Sequence, residues 1–197
     1  MIRILYPEPA LILSNENEKH IVISDLHIGF EERFNKQGIS IQSSTEKMQK
    51  VLSELIKKEK PDSVIILGDV KDSIVSVTKS ERIEVPRFFR AISKLVDIVV
   101  IPGNHDGNIS YLLPDNIEIG DMRGIKIDST VLLHGHTNIN ETFNDVKKII
   151  IGHLHPIYNQ QNSPLSGYQI WSILKTKTND LFEKNNEDIE IITVPSF

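Results

Sequence analysis

Near-continuous apolar runs punctuate the first half of the chain, and each ends the same way. His20 to Ser24 opens into Asp25-Leu26-His27-Ile28-Gly29, Ser63 to Leu67 into Gly68-Asp69-Val70-Lys71-Asp72, and 97–101 into Pro102-Gly103-Asn104-His105-Asp106. Runs of this length bounded by glycine or proline read as strands buried on both faces. Between them the period lengthens. Met48, Val51, Leu52, Leu55 and Ile56 share a helical face behind a Ser43–Glu46 capping box, and Pro61 ends that helix. Pro86 suits a first helical turn, followed by an apolar face of Phe88, Phe89, Ile92 and Leu95. A short helical turn is expected from Gly29 to Lys36, closed by Gly38, and a loop or lid over 73–84. Ala10 to Leu13 and His20 to Ser24 form a hairpin around Asn15-Glu16-Asn17.

The strand-helix-strand-helix-strand order predicts parallel pairing with right-handed crossovers. After Pro114 the texture becomes strands with little helix, at 117–119, 124–128, 130–133, 147–151, 170–175 and 189–194, which predicts a second, mostly antiparallel sheet packed on the first. Two of these strands repeat the earlier theme. One opens into His134-Gly135-His136, the other into Gly152-His153-Leu154-His155-Pro156. No repeat or linker interrupts the chain, so one domain over 1–197 is expected, with Asn179 to Asp188 a charged loop before the last strand.

Composition narrows the chemistry. The 197 residues suffice for one well-buried core, and a net charge of −5 argues against tight nonspecific binding to nucleic acid. No apolar run approaches the roughly 18 residues of a membrane span. The opening Met1-Ile2-Arg3-Ile4-Leu5-Tyr6-Pro7 lacks a basic n-region and a cleavage-like site, so a cytoplasmic protein with no membrane partner is expected. There is no cysteine, which leaves His, Asp, Glu and Asn as metal ligands.

Those residues cluster. Six of the seven histidines stand at predicted strand ends, in clusters that each include a glycine; only His20 lies elsewhere. Singly, each pair is an ordinary turn. In Gly152-His153-x-His155, however, alternation along an extended segment puts both imidazoles on one side.

Taken in order, Asp25-x-His27, Gly68-Asp69, Gly103-Asn104-His105-Asp106, His134-Gly135-His136 and Gly152-His153-x-His155 resemble the five motifs of the calcineurin-like metallophosphoesterases, from about residue 20 to 156. Asp25-Leu26-His27-Ile28-Gly29-Phe30-Glu31-Glu32, Gly68-Asp69-Val70-Lys71, His155-Pro156 and Val194-Pro195-Ser196-Phe197 are further similar to small archaeal phosphoesterases related to a repair-nuclease subunit and to bacterial ligase-associated phosphoesterases. Asp72 departs from that subgroup, which often has histidine there.

The resemblance implies an α/β fold, a four-layer αββα sandwich of two mixed β-sheets flanked by helices. It implies two divalent metal ions, Mn²⁺ first and Fe²⁺, Zn²⁺ or Co²⁺ as alternatives. Asp25, His27, Asp69 and His155 would hold one, and Asp69, Asn104, His134 and His153 the other, with Asp69 bridging. The implied reaction is in-line attack of a metal-bridging hydroxide on a phosphoester, with His105 as general acid and Asp106 supporting its loop. His136 either touches the substrate phosphate or packs. Arg33, Lys71 and Arg123 are each either phosphate contacts or solvated charges. A phosphodiesterase is expected first, acting on a phosphoester, nucleotide or nucleic acid. A nuclease is the alternative within that class, and a non-catalytic metal-binding scaffold the alternative outside it. The sequence leaves the oligomeric state open, a homodimer included.

Overall fold

Strand β4 (Ser63–Leu67) shows why its sequence is an unbroken apolar run: Val64 and Ile66 enter one core cluster, Ile65 and Leu67 another on the opposite face. The computed structural model describes residues 1–35, 37–177 and 187–197. In the first sheet, β1 (Ile2–Ile4), β2 (Leu11–Ser14) and β3 (Lys19–Ser24) pair antiparallel. β3, β4, β5 (Asp97–Ile101) and β6 (Glu118–Ile119) then pair parallel. The second sheet has the order β10-β11-β9-β8-β7, from β7 (Ile125–Ile127), β8 (Thr130–Leu133), β9 (Lys148–Ile151), β10 (Ser172–Lys177) and β11 (Asp188–Thr193).

Three cores follow from this layering. After the short helix α1 (Glu31–Asn35), helices α2 (Thr45–Glu59) and α3 (Lys79–Ile92) cover the outer face of the first sheet, placing Met48, Leu52, Val85, Phe88 and Phe89 against Ile21, Ile23, Ile66 and Val100. Between the sheets, Val22, Ile65, Leu67 and Ile101 meet Leu132, Ile150, Ile192 and Val194. Ile139, Phe143 and Val146 pack on the outer face of the second sheet with Val131, Leu133, Ile149 and Ile189. Among the described residues no helix is long and apolar enough to cross a membrane.

Several local expectations are corrected. Ser43 and Glu46 form no capping box. Ser43 Oγ instead donates to Glu84 Oε2 at 2.6 Å, Ser44 becomes the N-cap with no side-chain cap bond, and its N–H goes to Glu31 Oε1. The capping box lies at Thr78 and Glu81, so the expected loop over 73–84 becomes helical from Lys79 and Pro86 falls inside α3. An interior proline costs about 3 kcal/mol. Full burial of Val85, Phe88, Phe89 and Ile92, each worth about 1.5–3 kcal/mol, outweighs it. Leu95 lies beyond the helix and is 44% exposed. The second sheet is mixed, because β9 pairs parallel with both β8 and β11, and β6 joins the first sheet. The charged loop expected at 179–188 lies outside the described residues up to 186, and Asp188 begins β11.

Register fixes where the polar clusters go. Ser24, Leu67 and Ile101 are aligned across β3, β4 and β5, as are Leu133 and Ile151 across β8 and β9. Parallel strands thus deliver all five clusters to one edge of the sandwich, where α/β proteins place their sites.

Candidate metal centre

The loops at this edge approach closely enough to dictate glycine. A Cβ on Gly103 would lie 2.2 Å from Asp69 Oδ1, and one on Gly152 would lie 1.7 Å from Ser24 Oγ and 2.7 Å from Asp25 Oδ2. Five of the ten non-glycine residues with positive φ among the described residues are here: Asp25 (55°), His27 (43°), Asp69 (48°), His153 (66°) and His155 (42°). That conformation costs an L-residue roughly 1–2 kcal/mol. It concentrates where side chains must turn back toward a common point.

That point has two lobes sharing Asp69. Potential ligand atoms of Asp25, His27, Asp69 and His155 lie within 4.8 Å of one another, and those of Asp69, His134 and His153 do likewise. Asp69 Oδ2 faces His27 Nε2 at 3.7 Å, while its Oδ1 faces His134 Nε2 at 3.3 Å. In the first lobe His155 Nε2 is 3.2 Å from Asp25 Oδ1 and 3.3 Å from His27 Nε2. In the second, His134 Nε2 is 3.1 Å from both Asn104 Oδ1 and His153 Nδ1.

Hydrogen bonds fix which atoms face inward. The buried His134 donates Nδ1–H to Leu67 O at 2.8 Å, because a carbonyl can only accept. Its Nε2 lone pair then points at the oxygens of Asp69 and Asn104. Three acceptors at 3.1–3.3 Å repel unless a proton or a cation lies among them. Burial would raise the Asp69 carboxyl, yet the bond and charge of His134, with the His105 N–H, hold its pKa at about 2. Burial opposes ionisation of His134 too, and Asp69 overrides it, pushing the imidazole up. Such a site attracts positive charge. Its imidazole, carboxylate and amide donors suit Mn²⁺, Fe²⁺, Zn²⁺ or Co²⁺. Asp25 is held by the Ser24 hydroxyl at 2.6 Å and the His153 N–H at 3.0 Å.

His105 stands beside Asp69. Its backbone N–H donates to Asp69 Oδ1 at 2.9 Å, and its Nδ1–H donates to Asp72 O, which leaves Nε2 3.8 Å from Asp69 Oδ2. Asp106, 4% exposed, is hydrogen-bonded to backbone rather than to the converging side chains. Its carboxylate accepts the N–H groups of Val70 (2.9 Å), Lys71 (3.3 Å) and Gly103 (2.8 Å), clamping the loops after β4 and β5 together. Burial raises its carboxyl despite these donors. In Asp106→Asn an amide NH₂ must face a backbone N–H. The metal-free variant is expected to lose about 2 kcal/mol in denaturant unfolding, and an unchanged midpoint would remove the clamp.

The remaining candidates separate. His136 packs its ring 5.2 Å from that of His134, with Nδ1 buried and without a hydrogen-bond partner, and burial lowers its pKa. Lys71 corrects both readings offered for it. It is fully buried, and its ammonium donates to the carbonyls of Ser73 and His105. Arg123 pairs with Asp121 on the surface. Arg33 chelates Asp72 through Nε and Nη2, both at 2.5 Å. Asp72 itself was noted in sequence only as a departure. Its Oδ1 lies 3.5 Å from His27 Nδ1, so one buried residue faces His27 and Arg33 with its carboxylate and His105 with its carbonyl. Its place directly after Gly68-Asp69-Val70-Lys71 was the available signal.

A solved structure shares this architecture. Nuclease MPE of Pseudomonas putida aligns with a TM-score of 0.56 at 16% identity, covering 95% of this chain and 87% of its own. YfcE, a phosphoesterase from E. coli, gives 0.44 at 20% identity over 73% of this chain and 74% of its own. No match was found among curated proteins. The calcineurin-like phosphoesterase family matches over residues 19–192, a span that contains every converging side chain from Asp25 to His155. By that match, the chain belongs to the calcineurin-like phosphoesterases.

Proposed function

We propose that the protein is a two-metal phosphodiesterase. The observation that carries this reading is the shared carboxylate: Asp69 turns one oxygen to His27 and the other to His134, between two groups of donors. Asp25, His27, Asp69 and His155 would hold one ion and Asp69, Asn104, His134 and His153 the other, with Mn²⁺ the first choice. When bound, such ions activate water and neutralise charge developing on phosphoryl oxygens. The chain's own residues supply the rest. Asp106 keeps the loops after β4 and β5 in register, the Asp72 carbonyl holds the His105 ring through Nδ1–H, and the ring in its imidazolium form passes the Nε2 proton to the leaving oxygen.

A nuclease remains the second reading, favoured by the fold likeness to a nuclease and disfavoured by the net charge of −5. A metal-holding scaffold would have no use for His105. Purified protein should bind two metal ions per chain by elemental analysis and hydrolyse bis(p-nitrophenyl) phosphate when Mn²⁺ is added. Single-stranded and duplex DNA belong in the same panel, and turnover of the small diester alone would remove the nuclease reading. A metal-loaded protein that cleaves no phosphoester would leave the scaffold.

A further inference from the structure

One cleft beside the first lobe exceeds what a phosphate group needs. It has a volume of about 550 Å³, within the roughly 300–1,000 Å³ of sites that enclose an organic ligand, and it is continuous with the first lobe through His27, Asp72 and His155. Leu26, Phe30, Met48 and Val51 form an apolar floor. Phe197 also lines it, tied there because its N–H donates to Ser24 O at 2.9 Å while Ser196 Oγ donates to Asp25 O at 2.7 Å. Phe34 abuts Phe30 edge to face, with centroids 6.2 Å apart. Arg33 lies along the side. A guanidinium has five N–H donors, and the Asp72 pair occupies those of Nε and Nη2, holding the plane fixed for stacking or for a second anionic oxygen. Gln169 and Ser44 put an amide and a hydroxyl on the rim. An alkyl chain would leave these polar groups without a role, whereas a heterocycle would meet both floor and rim.

We infer that this cleft receives the base of a nucleoside esterified to the reacting phosphate, so that the preferred substrates are nucleotidyl phosphodiesters. The inference rests on the phosphodiesterase reading and adds a direction to it: the base extends from the first lobe over Phe30 toward α2. The small opening residue Val51 is the position at which a larger side chain would fill the space.

The test compares the p-nitrophenyl ester of thymidine 5′-monophosphate with methyl p-nitrophenyl phosphate, which share a leaving group. Wild type should favour the nucleoside ester by about tenfold or more in kcat/KM, mainly through KM. Val51→Trp should erase most of that ratio, and Phe30→Ala should lower it. Equal kcat/KM values for the two esters in wild type overturn the inference, as does a ratio that neither substitution moves. Turnover of neither ester would sink the phosphodiesterase reading instead. The cleft is then decided without catalysis, by titrating metal-free protein with thymidine, which carries no charge for the site's carboxylates to repel, and following the methyl signals of its three methionines. A saturable shift of Met48 with Met1 and Met122 unmoved supports the cleft; three unmoved signals overturn it.

Discussion

Asp69→Asn is expected to give a folded protein that no longer holds two metal ions and no longer hydrolyses a diester. The amide can keep its oxygen where Oδ1 now accepts the His105 N–H, so the loop after β5 retains its anchor. Its NH₂ then stands in the place of Oδ2, facing His27 and His105 with donors where a carboxylate offered an acceptor. One oxygen cannot serve two lobes, and the charge that binds cations in both is gone. Activity should fall by at least about 1,000-fold, equivalent to roughly 4 kcal/mol of lost transition-state stabilisation. Elemental analysis should show fewer than two ions per chain while circular dichroism stays native. Two tightly held ions and normal turnover in this variant would show that Asp69 does not bridge.

The route to such a residue was legible in sequence because of burial. β3, β4, β5, β8 and β9 lie in packed layers, so their runs of Ile, Val and Leu announce them, and the polar residues that follow stand out. What lies beyond pairing was not legible. Pro86 is favourable at a first turn and unfavourable within a helix, so taken alone it points to a helix start that the fold does not use. The actual start depends on Thr78 and Glu81, a capping pair that lies upstream of Pro86. Ser43–Glu46 failed for a tertiary reason: Glu84, from another helix, takes the Ser43 hydroxyl. The mixed character of the second sheet, which the family resemblance implied, was not legible in the strands themselves, because it depends on β9 lying between β8 and β11, an order that short strands do not encode locally.

At the site the distinction is similar. Asp25, His27, Asp69, Asn104, His134, His153 and His155 all stand together at one edge, as their motif order implied, but what orients them comes from unremarkable atoms. The Leu67 and Asp72 carbonyls fix two imidazoles, and the Ser24 hydroxyl holds Asp25. Backbone carbonyls carry no sequence signature. Lys71 is the clearest case, since nothing in its surroundings in sequence marks a lysine that is fully buried.

His105→Ala is the substitution that separates catalysis from metal binding. The residue contributes to the centre twice through its main chain: its N–H supports Asp69 and its carbonyl accepts the Lys71 ammonium. Alanine keeps both, so two ions per chain should remain. What is lost is the ring, with its bond to Asp72 O and the Nε2 that faces the bridge. Removing a general acid typically costs about 100- to 10,000-fold in turnover, and the loss should appear in kcat with little change in KM. A positioning role would produce the same fall for every substrate, but proton donation would not. p-Nitrophenolate departs readily without help, whereas an alkoxide does not. The deficit should therefore be smallest for p-nitrophenyl esters and at least about tenfold larger for a diester whose leaving group is an alcohol. Equal losses across leaving groups would reassign His105 to holding the phosphate, and loss of metal would return it to the structural support of Asp69.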